Sequence, residues 1–199
     1  MKKLSLIVVP LLFLLSADPA AARYCTTKNW ETSTSYYKKQ EKRYNGNVKA
    51  ANIEIEQYNS YEFLQDSFNS DQLAQIWLGD NDAAKLALNT QKDLFMDEVI
   101  KLNKVRSKIL ATMKKLKTNK ELWEKLADYC YDEDNYKDYK AGRDNMRKGI
   151  NLQKQADELL SKVERIKLRY LKEVGLINSS KDKAREHCES TGATCGDFD

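Results

Sequence analysis

The last proline of this chain is Pro19, and residues 20–199 contain none. Proline punctuates loops, strand edges and helix starts, so its absence from so long a stretch argues for long helices joined by few turns. The apolar spacing agrees. Leu88, Phe95, Leu102, Ile109 and Leu116 recur at every seventh residue, flanked by Val99, Val105 and Met113. Such spacing keeps one stripe on one side of a helix. Trp30, Tyr37, Tyr44, Ala51 and Tyr58 repeat the interval, with Val48 and Ile55 between them. No segment alternates with the two-residue period of a strand. The sequence therefore predicts an all-α fold: an elongated antiparallel helical bundle of three to four long helices plus short ones, seamed like a coiled coil.

Local signals divide the stripes into segments. A first helix is expected from about Lys28 to Phe68, and a short one over Asp71–Leu78 that stops at Gly79. Asp80 or Asn81 can cap the next helix. Thr118-Asn119-Lys120-Glu121 reads as a capping box, which would end the second long helix and start a third at Leu122. The segment Asp128–Gly142 is polar and rich in tyrosine, with a turn or kink expected at Gly142. From Met146 the stripe resumes through Leu152, Ala156, Leu159, Val163, Ile166 and Tyr170, and Gly175 is expected to end it. A short helix through Ala184 and a tail finish the chain.

The beginning of the chain reads as an export signal. Lys2 and Lys3 precede an almost unbroken apolar run, Leu4–Ala17, and then Asp18, Pro19 and three alanines. That order is the secretory pattern, with cleavage expected after Ala22. The expected division is thus a signal peptide over 1–22 and a single helical domain over 23–199. No second apolar segment follows that could span a membrane. The expected location is extracellular, with a bacterial periplasm as the alternative.

Export gives meaning to the cysteines. Cys25, Cys130, Cys188 and Cys195 form an even set and read as two disulfides. Three pairings are open. If four helices run up and down in turn, Cys25 meets the Cys188–Cys195 tail, and a bridge there would tether the tail. Zinc is the rival reading, but the chain has one histidine, His187, and no closely spaced cysteine pair, so no metal is expected.

Chemistry-bearing patterns are sparse. No G-x-S-x-G, H-E-x-x-H or P-loop pattern occurs, and no cofactor is expected. His187 adjoins Cys188, but neighbours on a helix point about 100° apart, against a catalytic pair. The acidic run from Asp132 lacks the Gly and Glu that a calcium loop requires, since Lys137 and Arg143 stand at those places. It reads as a solvated turn. Charge is nearly balanced, 34 Lys+Arg against 30 Asp+Glu, and reads as a solvated surface rather than a nucleic-acid footprint.

Tyrosine is the remaining signal. Tyr129, Tyr131, Tyr136 and Tyr139 crowd one polar segment and fit no single stripe. Tyrosine joins apolar area to a hydroxyl and is enriched at recognition surfaces, so these four are the candidate contact surface. Asn178-Ser179-Ser180 is a glycosylation sequon, expected to be accessible beyond a helix end at Gly175. Together these features point to a secreted, non-enzymatic binding protein, a monomer or homodimer, of effector, inhibitor or scavenger type. It would engage another protein or a small hydrophobic ligand, and not nucleic acid. A structural component of a bacterial envelope is the alternative, and an exported hydrolase a more distant one.

Overall fold

The structure is a computed structural model that describes residues 24–192. The signal segment and Cys195 therefore lie outside the described residues. Four α-helices and no strand are present among those described: α1 (Thr27–Asn59), α2 (Ser70–Leu78), α3 (Asp82–Asp132) and α4 (Tyr136–Thr191). A 3-10 turn, Leu64–Asp66, lies between α1 and α2. Each helix starts on a side-chain oxygen that accepts an otherwise unpaired backbone N–H: Thr26 from Asn29, Asn69 from Gln72, Asn81 from Ala84 and Asn135 from Asp138. Replacing such a cap by Ala typically costs ~1 kcal/mol. The α2 helix ends at Gly79, as its sequence predicts.

The α3–α4 hairpin is the scaffold. At 1.5 Å per residue the two helices run about 75–85 Å. Phe95, Val99, Leu102, Val105, Ile109 and Leu116 of α3 are buried against Leu152, Ala156, Leu159, Val163, Ile166 and Tyr170 of α4. The expected break at Thr118–Glu121 is absent. There the Thr118 hydroxyl donates to the Lys114 carbonyl within the helix, because Leu116, Asn119, Trp123 and Leu126 continue the buried stripe without a gap. Burial along an unbroken seam outweighs a cap worth about 1 kcal/mol. Gly142 and Gly175 also lie inside α4 rather than at breaks. The chain reverses at 133–135 instead, where Asp134 adopts φ 58° and the Asn135 N–H reaches the Cys130 carbonyl at 2.8 Å.

Helix α1 runs antiparallel to α3, along the hairpin. Its buried positions are mostly polar: Ser33, Gln40 and Asn47, then Ala51. Asn47 Nδ2 donates to Thr112 Oγ1 at 2.9 Å and to the Lys108 carbonyl at 3.3 Å. Beyond α1, the chain is fastened by Glu173, which is fully buried. Its carboxylate accepts the Leu64 and Gln65 backbone N–H groups at 2.6 and 3.0 Å, and the Gln91 amide at 3.0 Å. Tyr58, Tyr61, Phe63, Phe95 and Tyr170 form a ring cluster at the same level. Helix α2 then lies on the last third of α4, where the Trp77 indole N–H donates to Ser180 Oγ at 2.9 Å.

The disulfide joins Cys25 to Cys130, with the two Cα atoms 4.9 Å apart, which corrects the expected bridge from Cys25 to the tail. The reason is the number of long helices. With three rather than four, α1 starts beside the α3–α4 turn, while α4 ends at the opposite end of the bundle. One disulfide of the expected two thus joins described cysteines. Cys188 is buried and carries no free thiol.

Two glycines of α4 make the packing testable. A Cβ on Gly142 would stand 3.0 Å from Ala127 Cβ and 3.2 Å from Ala127 Cα, whereas one on Gly175 would meet nothing within 4 Å. Gly142→Ala is therefore expected to lower stability by about 1–2 kcal/mol through overpacking against backbone. Gly175→Ala should raise it by about 0.5–1 kcal/mol through helix propensity. Chemical denaturation followed by circular dichroism reads both.

Candidate functional site at the disulfide-pinned tip

Where α3 turns into α4, the start of α1 is locked against the hairpin. Beneath the surface, Trp30 packs on Trp123 with ring centroids 5.2 Å apart, and Leu126, Cys130 and Met146 complete a small core with Cys25 and Tyr139. Glu133, which caps the end of α3, turns its carboxylate toward the chain entering α1. Its Oε1 accepts the Tyr24 N–H at 2.8 Å and the Cys25 N–H at 3.0 Å. Covalent and hydrogen-bonded restraints thus converge on two consecutive residues, Tyr24 and Cys25.

The four tyrosines expected to form one contact surface fall into two groups. Residues 129 and 131 are two apart, about 200° around the helix, so their rings leave α3 on different sides. Tyr131 meets Tyr136 at 5.6 Å, nearly edge-on, and Tyr139 at 5.3 Å. Tyr129 stacks instead on Tyr24, with centroids 4.7 Å apart. Tyr24, Tyr129, Tyr131 and Tyr136 are 49%, 39%, 52% and 53% exposed. Tyr139 is half-buried against the tip core. Sequence reasoning missed Tyr24. The available signal was its place beside Cys25, since the disulfide that carries Cys25 to Cys130 brings Tyr24 to Tyr129.

The surroundings of the rings are acidic. Asp128, Asp132, Glu133, Asp134 and Asp138 stand against Lys137 and Lys140 over residues 128–140. Part of this charge is used in building the turn: Asp138 Oδ2 accepts from Asn135 Nδ2 at 2.8 Å, and the Tyr136 hydroxyl donates to Asp134 Oδ1 at 3.4 Å. Among the described residues no three His, Cys, Asp or Glu side chains converge as metal ligands.

Other singled-out residues lie elsewhere. His187 is exposed near the end of α4, and Cys188 beside it is buried. Asn178 is exposed but sits within α4 rather than past a helix end. Ser180 of that sequon is buried, accepting from Trp77 and donating to the Ile177 carbonyl at 2.7 Å. Glu98, 1% exposed, joins Glu54, Lys101 and Tyr61 where α1 meets α3. Burial first, and then the Glu98 charge, hold the Glu54 carboxyl above the usual range and push the Tyr170 phenol up. Glu98 is buried in the helix interface while Lys101 reaches solvent, and the Glu54–Glu98 contact ties α1 to α3. None of the described helices is long and apolar enough to cross a membrane.

No family model matches the chain, and no curated protein and no solved structure matches it.

Glu133→Ala should release two backbone donors while leaving the disulfide in place. Hydrogen exchange at residues 24–26 is expected to accelerate, with the amides around Leu102 and Val163 unchanged. Unchanged exchange at 24–26 would show that the disulfide alone fixes the entering chain.

Proposed function

We propose that this is an exported, non-enzymatic binding protein that presents the tyrosine-rich tip to a partner protein. The observation that carries the reading is the exposure of Tyr131 and Tyr136, 52% and 53%, at a point pinned by a disulfide. Solvent-facing aromatic pairs on a rigid support lose little conformational entropy on binding. Tyrosine is also a frequent anchor of recognition surfaces. The acidic groups around the rings favour a partner with basic side chains.

The test compares wild type with Tyr131→Ser/Tyr136→Ser. Both rings are exposed, so the thermal midpoint should hold. Losing an anchor pair of about 2 kcal/mol should weaken a recovered partner about 30-fold. Retention of the same partner by the double variant, at equal affinity, would sink the assignment of the tip.

A second reading, a subunit of a larger structural assembly, has its own support. Met96, Ile100, Leu168 and Leu171 are 40%, 48%, 54% and 39% exposed, and helical spacing places them on the hairpin face turned away from α1. Sedimentation separates the readings: a monomer at micromolar concentration favours the tip reading, and a concentration-dependent oligomer dispersed by Ile100→Glu/Leu168→Glu favours assembly.

A further inference from the structure

The interleaving of charge that makes the sequence look neutral fails over one stretch. Between Glu98 and Glu121, α3 carries eight basic residues and no acidic one. Two of these, Lys108 and Lys115, line the seam between α3 and α1. Arg43, Lys108 and Lys115 surround a concavity of about 300 Å³ whose floor is formed by Asn47, Ala111 and Thr112. Toward the tip, Lys125 lies with Leu122 and Tyr129 along a second concavity of about 210 Å³, against Asn29, Thr32 and Ser33 of α1. Positions 108, 111, 115, 122, 125 and 129 fall on one side of α3 at helical spacing, so the two concavities are stations along one groove. Lys104, one turn before Lys108, continues the stripe, and from Lys104 to Lys125 the groove runs about 30 Å.

Neither concavity is lined by a carboxylate. Among the described residues no acidic group stands within ion-pair distance of Arg43, Lys108, Lys115 or Lys125. Nine basic side chains form ion pairs among the described residues, as in Arg106–Glu164–Lys167 and Lys183–Asp71, and none of the nine lines the groove. Hydrogen bonding from Lys167, then from Arg106, holds the Glu164 carboxyl below its usual range despite partial burial. What sets the groove apart is alignment: Arg43, Lys108, Lys115 and Lys125 follow one line with no carboxylate in its lining, a row of charge that attracts a polyanion.

We propose that this α1–α3 groove binds a linear anionic polysaccharide, with its sulfate or carboxylate groups on Arg43, Lys108, Lys115 and Lys125. Three features select this class over nucleic acid. The groove lies between two packed helices, and its cations follow one line rather than the two strands of a duplex. Single strands rely on rings for successive bases, and the lining holds one, Tyr129, at its end. Its basic groups are mostly lysines, compact charges that suit scattered anionic substituents rather than planar bidentate contacts. Ala111, Leu122 and Tyr129 give apolar floor to the C–H faces of sugar rings. The acidic tip beyond Tyr129 limits the track at that end. The groove meets the tip at Tyr129, whereas Tyr131 and Tyr136, the rings proposed for a protein partner, lie outside its lining.

The experiment is calorimetric titration of the full chain with a heparin-derived octasaccharide at physiological salt. Arg43→Glu/Lys108→Glu/Lys115→Glu should weaken binding at least about tenfold, since several modest ion contacts are lost together. Lys137→Glu/Lys154→Glu/Lys172→Glu changes net charge equally at exposed positions off the groove and should stay within about twofold. Far-UV circular dichroism checks folding, and Lys108→Gln/Lys115→Gln serves if the triple variant does not fold. Absence of wild-type binding, or equal losses in both triples, would overturn the site. Tighter binding of an eight-residue oligothymidylate than of the octasaccharide would overturn the ligand class.

Discussion

The close, unbroken contact between α3 and α4 is what the other elements depend on. Two helices of this length hold together only if every turn contributes to one seam, because an isolated pair has no other face to bury. The sequence meets that demand with Phe95 against Tyr170 at one end and, at the other, Ala127 against Gly142 beside Trp123 and Met146. The chain turns where this seam ends, and the turn sets where Cys130, Glu133 and the tyrosines stand. It also gives α2 its landing place, at Ile177, Ser180 and Ala184.

Helix α1 is held differently. At its start the disulfide, Glu133 and the Trp30–Trp123 contact fix it; at its end the ring cluster and the Glu173 anchor do. Between these points its buried positions are mostly polar, Ser33, Gln40 and Asn47, while Tyr37, Tyr44, Val48 and Ile55 are only half-buried against the core. Gln40 is fully buried, and the amide of buried Asn119 on α3, like the indole N–H groups of Trp30 and Trp123, has no hydrogen-bond partner among the described residues. Unpaired buried polar groups cost roughly 1–3 kcal/mol each. A polar middle gives α1 a definite register, since Asn47 fits opposite Thr112, at the expense of stability. It also leaves the outer α1–α3 seam open as a groove, where a fully apolar interface would have closed it.

Much of this was legible in the sequence. The helical class followed from residues 20–199 lacking proline, and the stripe Leu88–Leu116 is the core as read. Asn81 and Gly79 act as the caps they resemble. What failed were local stop signals inside a long seam. Thr118–Glu121, Gly142 and Gly175 carry the chemistry of helix ends, but Thr118–Glu121 and Gly175 have buried stripe residues on both sides and Gly142 is itself packed on Ala127, and tertiary burial outweighs a local preference. Connectivity failed for a related reason: removing one break changes the helix count, which moves the tail away from Cys25. The tyrosine segment was recognised, but its division into two groups needed the backbone. The basic groove was hidden because charge balance was judged over the whole chain, whereas the relevant balance is along one side of α3.

If the α3–α4 hairpin is the scaffold and α1 a helix fastened at its two ends, local stability must differ between them. Native-state hydrogen exchange under increasing denaturant tests this directly, amide by amide. The account predicts that residues 95–116 and 152–174 exchange through the largest opening free energy. Residues 36–50 of α1 should exchange through a smaller, partial opening, with residues 27–31 near the disulfide better protected than that middle. Exchange of all three long helices through one global opening of equal free energy would contradict it.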